Sequence, residues 1–334
     1  MTVDPEGARF RLGDAKGHYE SWFLRGNHPD RPLAFWVRYT VTSPTGRPAD
    51  AVAELFAIVF NGELMRHVAV RESVSMRETF FPTSGLDVRL GAARLLPDSA
   101  TGRARSDGHT IAWDLKFSGG GEPLLLLPER FYAGGFPKAK ALVMRPGATF
   151  TGTFEVDGEP LSVDGWRGST NHNWGERHTD QYTWGQVAGF EGAPDTFLEL
   201  ASARIRIGPV LTPAMTPIVL RHEGKQYTLN TMHKLFGRAK IGGLRWTFAA
   251  KGKGVSLVGT ISASPTDVVT FAYRNPPGGT KLCINSKIAR CELTLTVGGR
   301  WVDLVSRTGA AFEVLVDDVL AAGRLGIVGL PSPQ

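Results

Sequence analysis

The chain has 334 residues, 42% hydrophobic and 21% charged, which is enough apolar mass for about two cores and excludes a disordered or collagenous protein. Forty Gly and 21 Pro without a fixed period exclude a helical bundle and suit many strands joined by tight turns. The net charge of +6 comes from scattered Lys and Arg, which excludes a nucleic-acid-binding stripe.

The N-terminal residues Met1 to Glu20 have no apolar run of the kind a secretory leader needs, and no stretch reaches the ~18 apolar residues of a membrane helix. The expectation is a cytoplasmic protein with no integral membrane segment. In the stretch from Gly17 to His28, Glu20, Trp22 and Leu24 alternate onto one face and would look into a barrel. An edge strand with an exposed ion pair is the alternative there. Ala51 to Phe60 is nearly continuous apolar sequence, either a fully buried strand or a short helix. Ile111 to Phe117 and Phe150 to Val156 alternate with period 2, and Gly152 marks a place for a bulge or a close backbone approach. Such alternation belongs to antiparallel sheets with one face on a core.

The polar and aromatic passage from Gly165 to Gly175 separates two strand-rich halves and places two β domains at 1–165 and 166–334. Tyr182 to Phe190 reads as a strand with Tyr182, Trp184 and Gln186 on one side. Leu244 to Phe248 and Leu293 to Val297 alternate again. Cys283 and Cys291 are expected as two reduced, partly buried thiols, with a cross-hairpin disulfide as the alternative. Ala310 to Ala322 is the best helix candidate, although Phe312 to Val316 within it looks strand-like. Turn signals such as Asn61-Gly62, Asp107-Gly108, Asp157-Gly158 and Gly298-Gly299 recur at short intervals, which predicts an all-β protein of barrels or sandwiches.

Chemistry-bearing residues concentrate between Asn171 and Trp184, where two His, two Trp and two carboxylates fall within fourteen residues. Asn171, Trp174, Tyr182, Trp184 and Gln186 suit the wall of a semi-polar pocket, since buried Trp, Tyr and Gln all demand partners for their polar atoms. An interdomain turn fixed by Trp packing is the plainer reading. Glu176, Arg177, His178 and Asp180 by themselves read as a solvated loop. His172 and His178 match no compact zinc template, and no P-loop, dinucleotide fingerprint or nucleophile elbow occurs, so no metal and no cofactor are expected.

Two passages resemble the tocopherol cyclase, carotenoid 1,2-hydratase and AttH-like superfamily, proteins of two lipocalin-like β-barrels. Tyr19-Glu20-Ser21-Trp22-Phe23-Leu24-Arg25 resembles its opening E-G-W-Y-x-K stretch, and His172-Asn173-Trp174-Gly175 resembles its H-x-W and N-W-G signature. Tyr182 to Val187 resembles the aromatic strand that follows. The resemblance implies two consecutive lipocalin-like antiparallel β-barrel or barrel-like domains and an elongated cavity for a hydrophobic small molecule of isoprenoid or polyketide type. In the carotenoid hydratases an acid in a Tyr-x-Asp context protonates a double bond. The comparable position here is Glu199 in Phe197-Leu198-Glu199, without the Tyr, and Asp180 in Asp180-Gln181-Tyr182 is the second candidate acid.

The resulting expectation is an enzyme that hydrates, isomerises or cyclises an apolar molecule by proton transfer. Glu199 or Asp180 would be the acid, His172 its partner, and Trp174, Tyr182, Trp184, Gln186, Asn171, Glu20 and Trp22 the substrate-binding wall. Trp π faces would stabilise a developing carbocation. A non-catalytic lipocalin-like carrier and a carbohydrate-binding sandwich with exposed Trp are the competing expectations.

Overall fold

A computed structural model of the protein describes residues 3–229 and 238–333. Strands dominate. In chain order they begin with β1 (His18–Asn27), β2 (Leu33–Ser43), β3 (Val52–Asn61), β4 (Arg66–Val74), β5 (Thr79–Phe80) and β6 (Val88–Leu90). Then come β7 (Ala93–Leu95), β8 (Ser99–Ser106), β9 (His109–Gly119), β10 (Leu124–Leu125), β11 (Ala139–Val156) and β12 (Glu159–Gly175). These twelve form one antiparallel sheet. Its main path runs β4-β3-β2-β1-β12-β11-β9-β8-β7-β6-β5, with β10 paired to β11. β4 comes back against β8 and β9, where Arg71 N donates to Ser106 Oγ at 3.0 Å and Arg105 N to Glu72 Oε2 at 2.8 Å. The result is a nearly closed barrel around Trp22, Phe35, Trp113, Phe150 and Trp166.

The second half supplies β13 (Gln181–Phe190), β14 (Ala193–Arg204), β15 (Arg206–Ile207), β16 (Val210–Leu211), β17 (Ile218–His222) and β18 (Lys225–Leu229). It continues with β19 (Arg238–Gly242), β20 (Arg245–Gly252), β21 (Val255–Ser262), β22 (Val269–Arg274), β23 (Thr280–Val297) and β24 (Arg300–Val316). Its ten-stranded sheet follows β18-β17-β14-β13-β24-β23-β21-β20-β19, with β22 on β23, and encloses Trp246, Phe248, Ile284 and Phe312. β15 and β16 form a separate pair. The two large sheets divide between Gly175 and Gln181, so the passage 166–175 is the second half of β12, a strand of the first sheet.

Local chemistry explains the ladders. Asp107-Gly108 and Asp157-Gly158 close hairpins with positive φ at both central residues, the geometry that matches strand twist. Gly152 has φ +132°, and a Cβ there would meet Asp114 O at 2.0 Å, so this register shift in β11 requires glycine. Of the apolar stretch Ala51 to Phe60, everything from Val52 on is strand β3, and Cys283 and Cys291 are free and buried.

The helix expected over Ala310 to Ala322 is corrected. Its first half ends β24, and only Val319–Arg324 is helical, capped by the Asp318 side chain accepting from Ala321 N. Phe312, Val314 and Val316 pack into the second core while Glu313 and Leu315 face the first sheet. A strand buried on both faces loses the period-2 signature by which strands are recognised.

Candidate functional site

Alternation along β1 and β12 assigns each residue to one of two places. Glu20, Trp22 and Leu24 on β1, with His172 and Trp174 opposite them on β12, point into the first barrel. Phe23, Arg25, Ser169, Asn171 and Asn173 occupy the other face, turned toward the second sheet. On the second sheet Tyr182, Trp184, Gln186, Glu199 and Glu313 are turned back toward the first. Between the sheets lies a cavity of about 160 Å³, walled by Phe23, Trp36, Tyr182, Trp184 and Tyr273. An apolar protein cavity of ~150 Å³ takes up benzene, so the space as drawn accommodates a ring or a short chain.

Among the described residues Glu199 is one of two carboxyls on the cavity wall, with Glu313. It stands opposite Gln186 in the β13–β14 ladder and is buried. Its Oε1 accepts from Trp184 Nε1 at 2.7 Å and its Oε2 from Gln186 Nε2 at 2.8 Å. Burial raises the carboxyl to about 7, against the opposing pull of those two donors and of Arg25. Gln186 cannot turn its amide around. Its Oε1 accepts from Arg25 at 3.0 Å and Ser169 Oγ at 2.6 Å, and its second N–H donates to Asn171 Oδ1 at 3.0 Å. Each Glu199 oxygen therefore keeps one fixed donor, and a proton on Glu199 must use a lone pair those donors leave free.

A second charged group faces the same space. Glu313 Oε1 accepts from Lys287 Nζ at 2.7 Å, and its Oε2 accepts from Tyr182 OH at 3.3 Å. Lys287 is fully buried and stands 5.6 Å and 5.3 Å from the Trp36 and Trp184 ring centroids. His178 stacks on Tyr19 at 4.0 Å, and burial together with nearby Arg38 pushes it down to about 3, so it is a neutral imidazole at physiological pH.

His172 is not the partner of Glu199. Its ring lies inside the first barrel between Trp22, at 4.7 Å, and Trp174, at 4.8 Å. Both ring nitrogens are engaged, Nδ1 with Pro5 O at 2.9 Å and Nε2 with Glu20 Oε1 at 2.8 Å. Glu20 also accepts from the Arg9 and Phe10 backbone N–H groups, and Trp22 Nε1 donates to Glu6 O. Burial alone would raise Glu20, but its bonds to His172 and His18 outweigh that and hold it at about 2. These residues fasten the N-terminal segment over the barrel, and Glu20, Trp22, His172 and Trp174 lie outside the cavity lining.

Asp180 is also outside that lining. Its Oδ2 accepts from Arg206 N at 2.7 Å and fixes the loop before β13. Of the expected site residues the cavity brings together Asn171, Tyr182, Trp184 and Glu199, with Gln186 behind them. Sequence reasoning read His178 as part of a solvated loop, whereas it is buried on the cavity wall, and it missed Arg38, Lys287 and Glu313. The available signal was charge inside otherwise apolar strand sequence: Arg38 between Val37 and Tyr39, and Glu313 between Phe312 and Val314. Among the described residues no three His, Cys, Asp or Glu side chains gather as metal ligands.

No family model matches the chain. Uncharacterized proteins from two Mycobacterium tuberculosis strains are 25% identical over 292 residues, 87% of this chain and 84% of theirs. Among solved structures, the AttH-like protein of Nitrosomonas europaea superposes with a TM-score of 0.59 at 12% identity, over 95% of this chain and 98% of that one. Kievitone hydratase from Nectria haematococca gives 0.52 at 12% identity, over 94% and 98%. CghA with Sch210972 gives 0.50 at 14% identity, over 94% of each chain. The chain has their fold. It is the two-part, lipocalin-like all-β architecture that the resemblance of the two short motifs implied.

Proposed function

We propose that the chain is a cofactor-independent enzyme that carries out acid–base chemistry (hydration, isomerisation or cyclisation) on a largely apolar small molecule bound between the two sheets. The single observation that carries this reading is Glu199, a carboxyl that burial brings to about 7 in an aromatic cavity despite two fixed donors that pull it down. A group poised near the working pH is present in both protonation states and can give a proton and recover it. The hydratase among the fold's relatives supports the class of chemistry.

The charge inventory bears on the type of intermediate. Lys287 and Glu313 form an ion pair, which among the described residues leaves Arg38 and Lys140 as cavity-wall cations without one. Arg38, Phe23 and Asn171 lie in register across three adjacent strands, and Asn171 reaches Glu199 through Gln186. Arg25, whose charge acts on Glu199, has the same sign as Arg38, so a cation forming beside Glu199 would be opposed and an oxygen gaining negative charge favoured. Protonation or deprotonation next to a carbonyl therefore suits the site better than a free carbocation does.

The carrier reading has one observation in its favour: both Glu199 oxygens already hold donors, as in a purely structural carboxyl. Extraction of the molecule that copurifies with the protein, followed by incubation with wild type and Glu199→Gln, separates the two. The enzyme reading predicts conversion by wild type, a loss of 100-fold or more in Glu199→Gln, and affinity within a few-fold. Binding without conversion by wild type, or unchanged turnover in the variant, contradicts it.

A further inference from the structure

Arg38 is a cation buried to 5% exposure on β2, on the face turned toward the second sheet. Its Nε donates to Thr40 Oγ1 at 3.0 Å, and its guanidinium lies 4.3 Å over the Tyr273 ring. Among the described residues it has no ion pair, and its two terminal nitrogens make no hydrogen bond. The other buried arginine of this interface has both terminal nitrogens engaged by comparison: Arg25 Nη1 donates to Gln186, and Nη2 donates to Asn27 and Gly309 O. Buried charge without a partner is costly, and the planar guanidinium fork is matched by a two-oxygen anion.

The remaining charges on the cavity wall do not supply that anion. Glu313 is taken by Lys287 and Tyr182. Glu199 is held by Trp184 and Gln186 on the far side of Phe23. Lys140, also on the wall and 8% exposed, adds a second cation without an ion pair, its Nζ donating to Pro137 O at 3.0 Å.

We infer that the molecule taken up between the sheets carries an anionic oxygen group, a carboxylate or an ionised enol, seated on the Arg38 guanidinium, with its apolar body over Phe23 and its reacting end at Glu199. This rests on the cavity reading above and adds the substrate class: an apolar acid whose charged group and reacting centre lie at different parts of the cavity wall. The Tyr273 ring holds the guanidinium flat, so the anion is met by a pre-oriented pair of N–H donors.

The test is an isosteric pair of probes, 2-naphthoate and 2-naphthamide, titrated calorimetrically into the full chain at neutral pH. Wild type is expected to bind naphthoate at least tenfold more tightly than naphthamide. Arg38→Met is expected to erase that preference while naphthamide affinity stays within twofold. Equal affinities in wild type, or a preference that survives Arg38→Met, overturns the anion seat. Should Arg38→Met not fold, Arg38→Lys takes its place: a threefold or greater loss of the preference supports the seat, and an unchanged preference contradicts it. Ala201→Trp, which fills the cavity, separates this failure from that of the cavity itself. If neither probe binds wild type, or both bind this variant as before, the intersheet site is wrong and the anion seat goes with it.

Discussion

Lys287 and Glu313 place opposite charges 2.7 Å apart, Lys287 fully buried and Glu313 beside it on the cavity wall, so the lysine is tolerated because the carboxylate is there. Burial pulls Lys287 downward, and Glu313 opposes the shift by charge and hydrogen bond. Removing one partner of such a pair leaves the other uncompensated, at a typical cost of 3–5 kcal/mol. Lys287→Met should therefore lower the unfolding free energy by about that much in denaturant titrations, and adding Glu313→Gln should restore a good part of it. A loss below 1 kcal/mol would mean that the pair is hydrated. At this scale the sequence was partly legible. Trp184, Tyr182 and Glu199 stood out by residue type and resemblance, whereas Lys287 and Glu313 are 26 positions apart and meet only through the β23–β24 ladder.

The strands β1 and β12 show why the most conspicuous residues are not the ones that line the cavity. A strand alternates faces, so His172 and Asn171 are neighbours in sequence but belong to different interiors. Period-2 reading groups Glu20 with Trp22 and Tyr182 with Trp184, but both faces of β1 and of the second half of β12 are buried, and burial alone does not say which interior a face meets. The His172–Glu20 group closes the first barrel by gripping the N-terminal segment, through the Arg9 and Phe10 amides. Glu20→Gln should release that grip. Hydrogen exchange should show protection of those two amides falling at least tenfold, with 2-naphthamide affinity unchanged within twofold. Retained protection, or lost binding, would assign Glu20 a different role.

The docking of the two sheets creates the site, and no single strand contains it. Trp36 and Phe23 come from the first sheet, Glu199 and Trp184 from the second, and Arg25 ties them together through Gln186 and Gly309. The sequence could indicate two β units and an aromatic junction, because alternation and turn chemistry are local. It could not indicate which outer faces would meet, because that depends on the shape of two finished sheets. The state of Glu199 is the sum of this assembly: only with both sheets in place is its carboxyl dry enough to rise above the ordinary carboxylate value. The sign follows directly. A carboxyl raised from 4.5 to about 7 keeps its proton in the folded chain, so its stabilising contribution is present at low pH and is lost as pH rises between those values. The most direct measurement is carbon NMR of protein labelled at glutamate carboxyls, titrated from pH 4 to 9, with Glu199→Gln to assign the signal. One resonance titrating near pH 7 and missing from the variant is the result predicted here; a Glu199 resonance with its midpoint near 4.5 would contradict a proton-donating site between the sheets.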